Sequence, residues 1–151
     1  MKYNGYHSEI GSFKKSRTKY FLKYINSITK NFDLKKNDTI LDVRCGAGAF
    51  LFPFFKRGMK CHGIDYSKNS IKICRKFITN GKFVVGEANN LNKFKKNKYD
   101  IISSAAVFQY FDNINYAKRV FNQMNKQYRK YDKNGNSLRN RDNLFQIINL
   151  V

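Results

Sequence analysis

Residues 38–128 predict an α/β fold, a doubly wound and mostly parallel sheet with helices on both faces. Three observations predict it. Short apolar runs rich in β-branched residues alternate with longer segments of helical apolar spacing, the pattern of strand–helix–strand units. The first such run breaks into a loop with two glycines two positions apart, Cys45-Gly46-Ala47-Gly48, where a ligand's backbone can approach. The second run ends in an acid, Asp65, about 20 residues after the first glycine, the spacing that sets a carboxylate at the neighbouring strand tip for two ribose hydroxyls.

In chain order, residues 1–12 read as an arm with no clear period. From Phe13 to Asn31, apolar side chains at Phe13, Tyr20, Phe21, Tyr24, Ile25 and Ile28 predict a leading helix with lysines between them. Thr39 to Val43 predicts a buried first strand. Pro53, the single proline of the chain, suits a first helical turn, so the next helix is expected from near Leu51 and is closed by Gly58. Lys60 to Ile64 is the second strand. Ser67 is placed to cap a helix over Lys68 to Thr79, with Ile71, Ile73, Cys74, Phe77 and Ile78 as its apolar side. Lys82 to Val85 is the third strand and Tyr99 to Val107 the fourth. Asn115 to Tyr128 is a helix with Tyr116, Val120, Phe121 and Met124 on one face.

Beyond it the pattern stops. Residues 129–142 are almost wholly polar and only Leu144 to Val151 are apolar, compatible with a strand, a short helix or disorder. The fourth strand is therefore expected to be an exposed edge. The chain reads as one domain of 151 residues: an arm at 1–12, a core over 13–128 and an atypical C-terminal segment over 129–151.

Composition narrows the classes. Hydrophobic residues make up 42% of the chain, enough for a core, yet no apolar run approaches the ~18 residues that span a membrane, and no signal-peptide core opens the chain. Cys45, Cys61 and Cys74 have neither a C-x-x-C spacing nor histidines at metal spacing, so no disulfide framework and no metal site is expected, and reduced cytoplasm is the default location. The formal charge of +20 points toward a polyanion, but Lys, Asn, Ile, Tyr and Phe are abundant together and the lysines look scattered. The dense run at Lys93, Lys95, Lys96 and Lys98 reads as a solvated turn. A nucleic-acid partner is thus the less favoured reading. His62 reads as an interstrand side chain rather than a base.

The nicotinamide fingerprint fails, because its third glycine falls on Leu51. Leu41-Asp42-Val43-Arg44-Cys45-Gly46-Ala47-Gly48 instead resembles the first motif of the class I S-adenosylmethionine-dependent methyltransferases, L-D-V-G-C-G-x-G, in a Rossmann-like domain. Gly63-Ile64-Asp65-Tyr66-Ser67 resembles that family's ribose-binding segment, Gly86-Glu87-Ala88 its adenine-side loop, and Tyr99-Asp100-Ile101-Ile102 its fourth strand. The resemblance covers residues 38–111. It implies S-adenosyl-L-methionine as cofactor, held by Asp42, Arg44, Cys45, Gly46, Gly48, Asp65, Tyr66, Glu87, Ala88 and Ser104.

The family's usual sheet has seven strands, and this chain is short for it. Arg44 stands where the first motif glycine belongs. Its side chain has three courses: outward, toward the cofactor's carboxylate, or into the pocket against the sulfonium. Ser103-Ser104-Ala105-Ala106 replaces the Asn/Asp-Pro-Pro-aromatic motif of the base amino-methyltransferases. Val107-Phe108-Gln109-Tyr110-Phe111 is closer to the small-molecule branch, so the acceptor is expected to be a small molecule carrying O or N, with Gln109 and Tyr110 facing it. Tyr6, His7 and Tyr110 are the candidates for a catalytic role. Two alternatives stand beside this reading: a catalytically inactive, truncated domain that binds cofactor or a partner, and an RNA-binding or RNA-modifying protein.

Overall fold

The computed structural model describes residues 15–31, 33–95, 99–104, 111–127 and 145–146. Its elements are α1 (Lys15–Asn31), β1 (Thr39–Val43), α2 (Phe52–Lys56), β2 (Lys60–Asp65), α3 (Lys68–Phe77), β3 (Phe83–Val85), a single 3-10 turn (Asn92–Phe94), β4 (Ile101–Ser103), α4 (Ile114–Gln127) and β5 (Phe145–Gln146). The strands form one parallel sheet in the order β3-β2-β1-β4-β5. β1 lies at its centre, with Thr39 opposite Lys60 and Asp42 opposite both Gly63 and Ser103. Because the order reverses beside β1, the strand tips at Val43, Asp65, Val85 and Ser103 face one crevice, the usual place for a ligand in an open α/β sheet.

Both faces of the sheet are covered, which is why Ile40 to Val43 are buried without alternation. One face carries Ile40, Cys61, Phe83 and Ile101 against Ile25 and Ile28 of α1, Phe54 of α2 and Ile71 and Cys74 of α3. The other carries Leu41, Val43, Ile64, Val84 and Ile102 against Leu91, Phe94, Val120 and Met124. Each fully buried aliphatic or aromatic side chain contributes about 1.5–3 kcal/mol.

Local chemistry sets the boundaries. Pro53 lies in the first turn of α2, as expected, and Gly58 follows its end at φ +82, donating its N–H to Phe55 O at 2.9 Å. Ser67 caps α3, its Oγ accepting the Ser70 N–H at 3.2 Å. The α3–β3 turn is held by Asn80, whose Nδ2 donates to Met59 O at 2.6 Å. Gly81 follows it, where a Cβ would fall inside the carbonyl oxygen of Cys61.

Several expectations are corrected. Phe145 and Gln146 pair in parallel with Ile102 and Ser103, so β4 is not the sheet edge. Phe77 and Phe121 were expected on core faces but are 41% and 39% exposed, while the core position at the end of α4 is taken by Gln127, 2% exposed. α3 ends at Phe77 rather than Thr79, because Ile78 turns to extended backbone and drops its side chain into the core. No described helix is long and apolar enough to cross a membrane, and among the described residues no group of three or more His, Cys, Asp or Glu gathers to hold a metal ion.

Candidate cofactor site

The crevice is built around Asp65, the last residue of β2. One of its carboxylate oxygens accepts the Gly46 N–H at 2.9 Å and the other accepts the Ser67 N–H at 2.9 Å. The acid thus ties the glycine loop to the cap of α3 with its orientation fixed by backbone donors. Each oxygen retains a lone pair for a further donor. Gly46 reaches this position at φ +53, a conformation in which a side chain is strained.

Gly48, at φ +84, has a different role: a Cβ there would lie 2.9 Å from Ile78 Cδ1 and 3.1 Å from Cys74 Sγ. Its missing side chain lets the loop pack closely on α3. Asp42 is buried and accepts the Ser103 Oγ–H at 2.8 Å, joining β1 to β4 beneath the loop.

Three of the expected site residues are turned inward. Cys45 donates its N–H to Ile64 O, and its thiol lies against the Gly63 Cα and Cys74; burial, then Cys74, pushes it well above an ordinary thiol. Ala88 is in the core and Ser104 donates its Oγ–H to Val43 O at 3.0 Å. Tyr6, His7, Gln109 and Tyr110 lie outside the described residues.

Arg44 explains why a glycine suits its position: its φ is +63, the left-handed region, which costs a side-chain-bearing residue about 1–2 kcal/mol. The guanidinium carbon sits 5.2 Å from the Tyr66 ring centroid and 5.8 Å from that of Phe111. The half-buried side chain runs from the tip of β2 to the segment after β4.

Glu87, exposed in the loop after β3, accepts the Tyr116 Oη–H at 3.0 Å. Burial, then that bond, raises the Tyr116 phenol, and the Arg44 charge opposes the rise. Phe111 and Tyr116 stack edge to face at 5.1 Å between centroids. Neither was singled out for the site from sequence. Tyr116 has the spacing of a core residue on α4, and only the pairing of β4 with β1 brings its helix beside Glu87. His62 behaves as expected, Nδ1 lying 3.4 Å from Tyr99 Oη, and burial, then Lys82 and Lys60, lowers its pKa.

A parallel sheet of this order with a glycine loop at its first strand tip and an oriented acid at its second defines a Rossmann-like nucleotide-cofactor domain of the methyltransferase kind. A methyltransferase-domain family matches residues 34–134, and the chain belongs to that family. No curated protein matches it by sequence. Among solved structures, a Pyrococcus horikoshii protein superposes at TM-score 0.68 with 22% identity, covering 83% of this chain and 58% of its own. A TehB-like SAM-dependent methyltransferase from Corynebacterium glutamicum gives 0.57 with 17% identity, covering 76% of this chain and 67% of its own. The plantazolicin methyltransferase, solved with SAH, gives 0.56 with 24% identity, covering 67% and 37%. This chain therefore spans 58% of the length of the first of these structures and 37% of the last.

Proposed function

We propose that the crevice binds S-adenosyl-L-methionine and that the domain transfers its methyl group to an O or N atom of a small-molecule acceptor. The observation that carries this reading is the Asp65 carboxylate, fixed by the Gly46 and Ser67 amides at the tip of β2. The donor set fits the group. Asp65 offers acceptors to the ribose hydroxyls and the Glu87 loop offers acceptors on the adenine side. Arg44 supplies a cation suited to a carboxylate. The bound cofactor supplies an electrophilic methyl carbon, so the protein's part is to align an acceptor and exclude water. Tyr66, Phe111 and Tyr116 supply the apolar wall for that exclusion. Membership of the family and the buried free cysteines support a reducing, cytoplasmic setting.

A second reading rests on Arg44. A guanidinium lying across the crevice repels a sulfonium but not a neutral thioether. The domain then holds the demethylated cofactor and turns over slowly or not at all. Calorimetric titration with S-adenosylmethionine and S-adenosylhomocysteine separates these readings. The leading one expects both to bind the parent, and Asp65→Ala to weaken both at least tenfold. The second expects the homocysteine form alone to bind the parent, and Arg44→Gly to restore the methionine form. No binding of either ligand to parent and Arg44→Gly alike refutes both.

A further inference from the structure

The lysines that look scattered in the sequence are gathered by the topology. In a parallel sheet every strand begins at the same edge, so the loops entering β1, β2, β3 and β4 lie side by side, opposite the cofactor crevice. Those loops carry Lys35 and Lys36 before β1, Lys60 at the start of β2, Lys82 before β3, and Lys93 and Lys95 before β4, all exposed. The acids at this edge are already engaged. Asp33 pairs with Lys35 at 3.2 Å, Asp38 is buried and accepts the Lys35 N–H, and Asp100 accepts the Thr39 N–H and Oγ–H. Among the described residues the opposite edge holds Asp42, Asp65 and Glu87 together with Arg44, so acids are concentrated there and not at the strand-start edge.

Favourable contact with helix C-termini accounts for cations such as Lys30 and Lys56, which lie in last turns, but not for lysines in the loops. Surface pairing offsets one loop lysine: between described residues the one ion pair is Lys35 with Asp33, while Lys82 Nζ donates to the Lys93 carbonyl at 2.6 Å. The edge also carries an exposed ring. Phe77, at the end of α3, is 41% exposed with Lys76 Nζ 5.3 Å from its centroid. A row of cations across four strand starts, roughly 14 Å at ordinary strand spacing, beside an aromatic face matches a charged backbone with bases free to stack.

We propose that the strand-start edge is a docking surface for single-stranded nucleic acid, separate from the cofactor crevice and independent of the methyltransferase reading. The Lys row neutralises phosphates and Phe77 stacks a base. The chemistry read here, phosphodiester plus an unpaired base, is common to RNA and DNA.

The test is fluorescence-anisotropy titration of labelled single-stranded RNA and DNA of mixed sequence across a salt series. The same strands as duplex, and anionic lipid vesicles, are competitors. The parent should show a log K against log[salt] slope of about −3 or steeper, since each neutralised phosphate on a single strand contributes about 0.7. Lys36/Lys60/Lys93/Lys95→Gln should lose at least tenfold in affinity and flatten the slope by about 2–3. The charge-matched control Lys23/Lys68/Lys72/Lys118→Gln should lose less than about threefold, with circular-dichroism melts showing both folded. Phe77→Ala should lose about fivefold or more with the slope unchanged. A flat salt dependence, equal losses in the two quadruple variants, or no effect of Phe77→Ala would overturn the proposal. So would tighter binding to duplex or to vesicles.

Discussion

The backbone at Arg44 makes a stability prediction that separates strain from contact. Its φ of +63 costs about 1–2 kcal/mol relative to an unstrained residue, while its guanidinium packs against two rings at 5.2 and 5.8 Å, each worth about 0.5–1 kcal/mol at partly exposed sites. Arg44→Ala keeps the strain and loses both contacts, so it should destabilise the fold by about 1–2 kcal/mol. Arg44→Gly also loses the contacts but relieves the strain, offset by about 0.5–1 kcal/mol of extra backbone entropy in the unfolded chain. The glycine variant should therefore be more stable than the alanine variant by about 0.5–1 kcal/mol. In urea melts that is a midpoint difference of about 0.5 M at an ordinary slope for a domain of this size. An alanine variant as stable as the glycine variant would refute the left-handed backbone. Parent-like stability in both would refute the ring contacts.

Three further outcomes follow from the fold. His62 has a pKa below its ordinary 6.5 because burial disfavours its charged form, so the unfolded chain binds the proton more readily. Stability should be insensitive to His62 above that value and fall as pH drops below it toward the lowered folded value; His62→Phe should flatten this part of the profile in thermal melts from pH 7.5 to 5. Gly81→Ala drives a Cβ into the Cys61 carbonyl and should cost at least about 3 kcal/mol or prevent folding, whereas Gly86→Ala, meeting the side chain of Ile64 at 3.2 Å rather than backbone, should cost about 1–2 kcal/mol by chemical denaturation. The buried Gln127 Oε1 has no hydrogen-bond partner among the described residues, so Gln127→Met should leave stability unchanged or raise it by about 1 kcal/mol in the same assay.

The central strands were legible in the sequence because a parallel strand covered on both faces is buried without alternation, as Ile40–Val43 and Gly63–Asp65 are. Ser67, Pro53 and Gly58 were legible for a local reason: capping and helix-end chemistry depends on neighbours within a turn. The contact between Gly46 and Asp65 was legible because each is carried by one short segment with its own signal. Whether a loop residue faces the crevice or the core depends on the packing of other elements, so Cys45, Ser104 and Gly48 could not be told apart from Gly46 by spacing. The Glu87–Tyr116 bond joins residues 29 apart and exists only because α4 crosses back beside β3's loop. Phe145 and Gln146 were hidden by length, since a two-residue strand has no period.

The most direct test of the cofactor site is amide mapping of the 15N-labelled protein by NMR while S-adenosylhomocysteine is added. Saturable shifts should concentrate at Arg44 to Gly48, Asp65 to Ser67 and Gly86 to Ala88, and leave Lys35, Lys36, Lys60 and Lys82 unmoved. No saturable shift, or shifts centred on the lysine edge, would contradict the proposal that the crevice at the strand tips binds the cofactor.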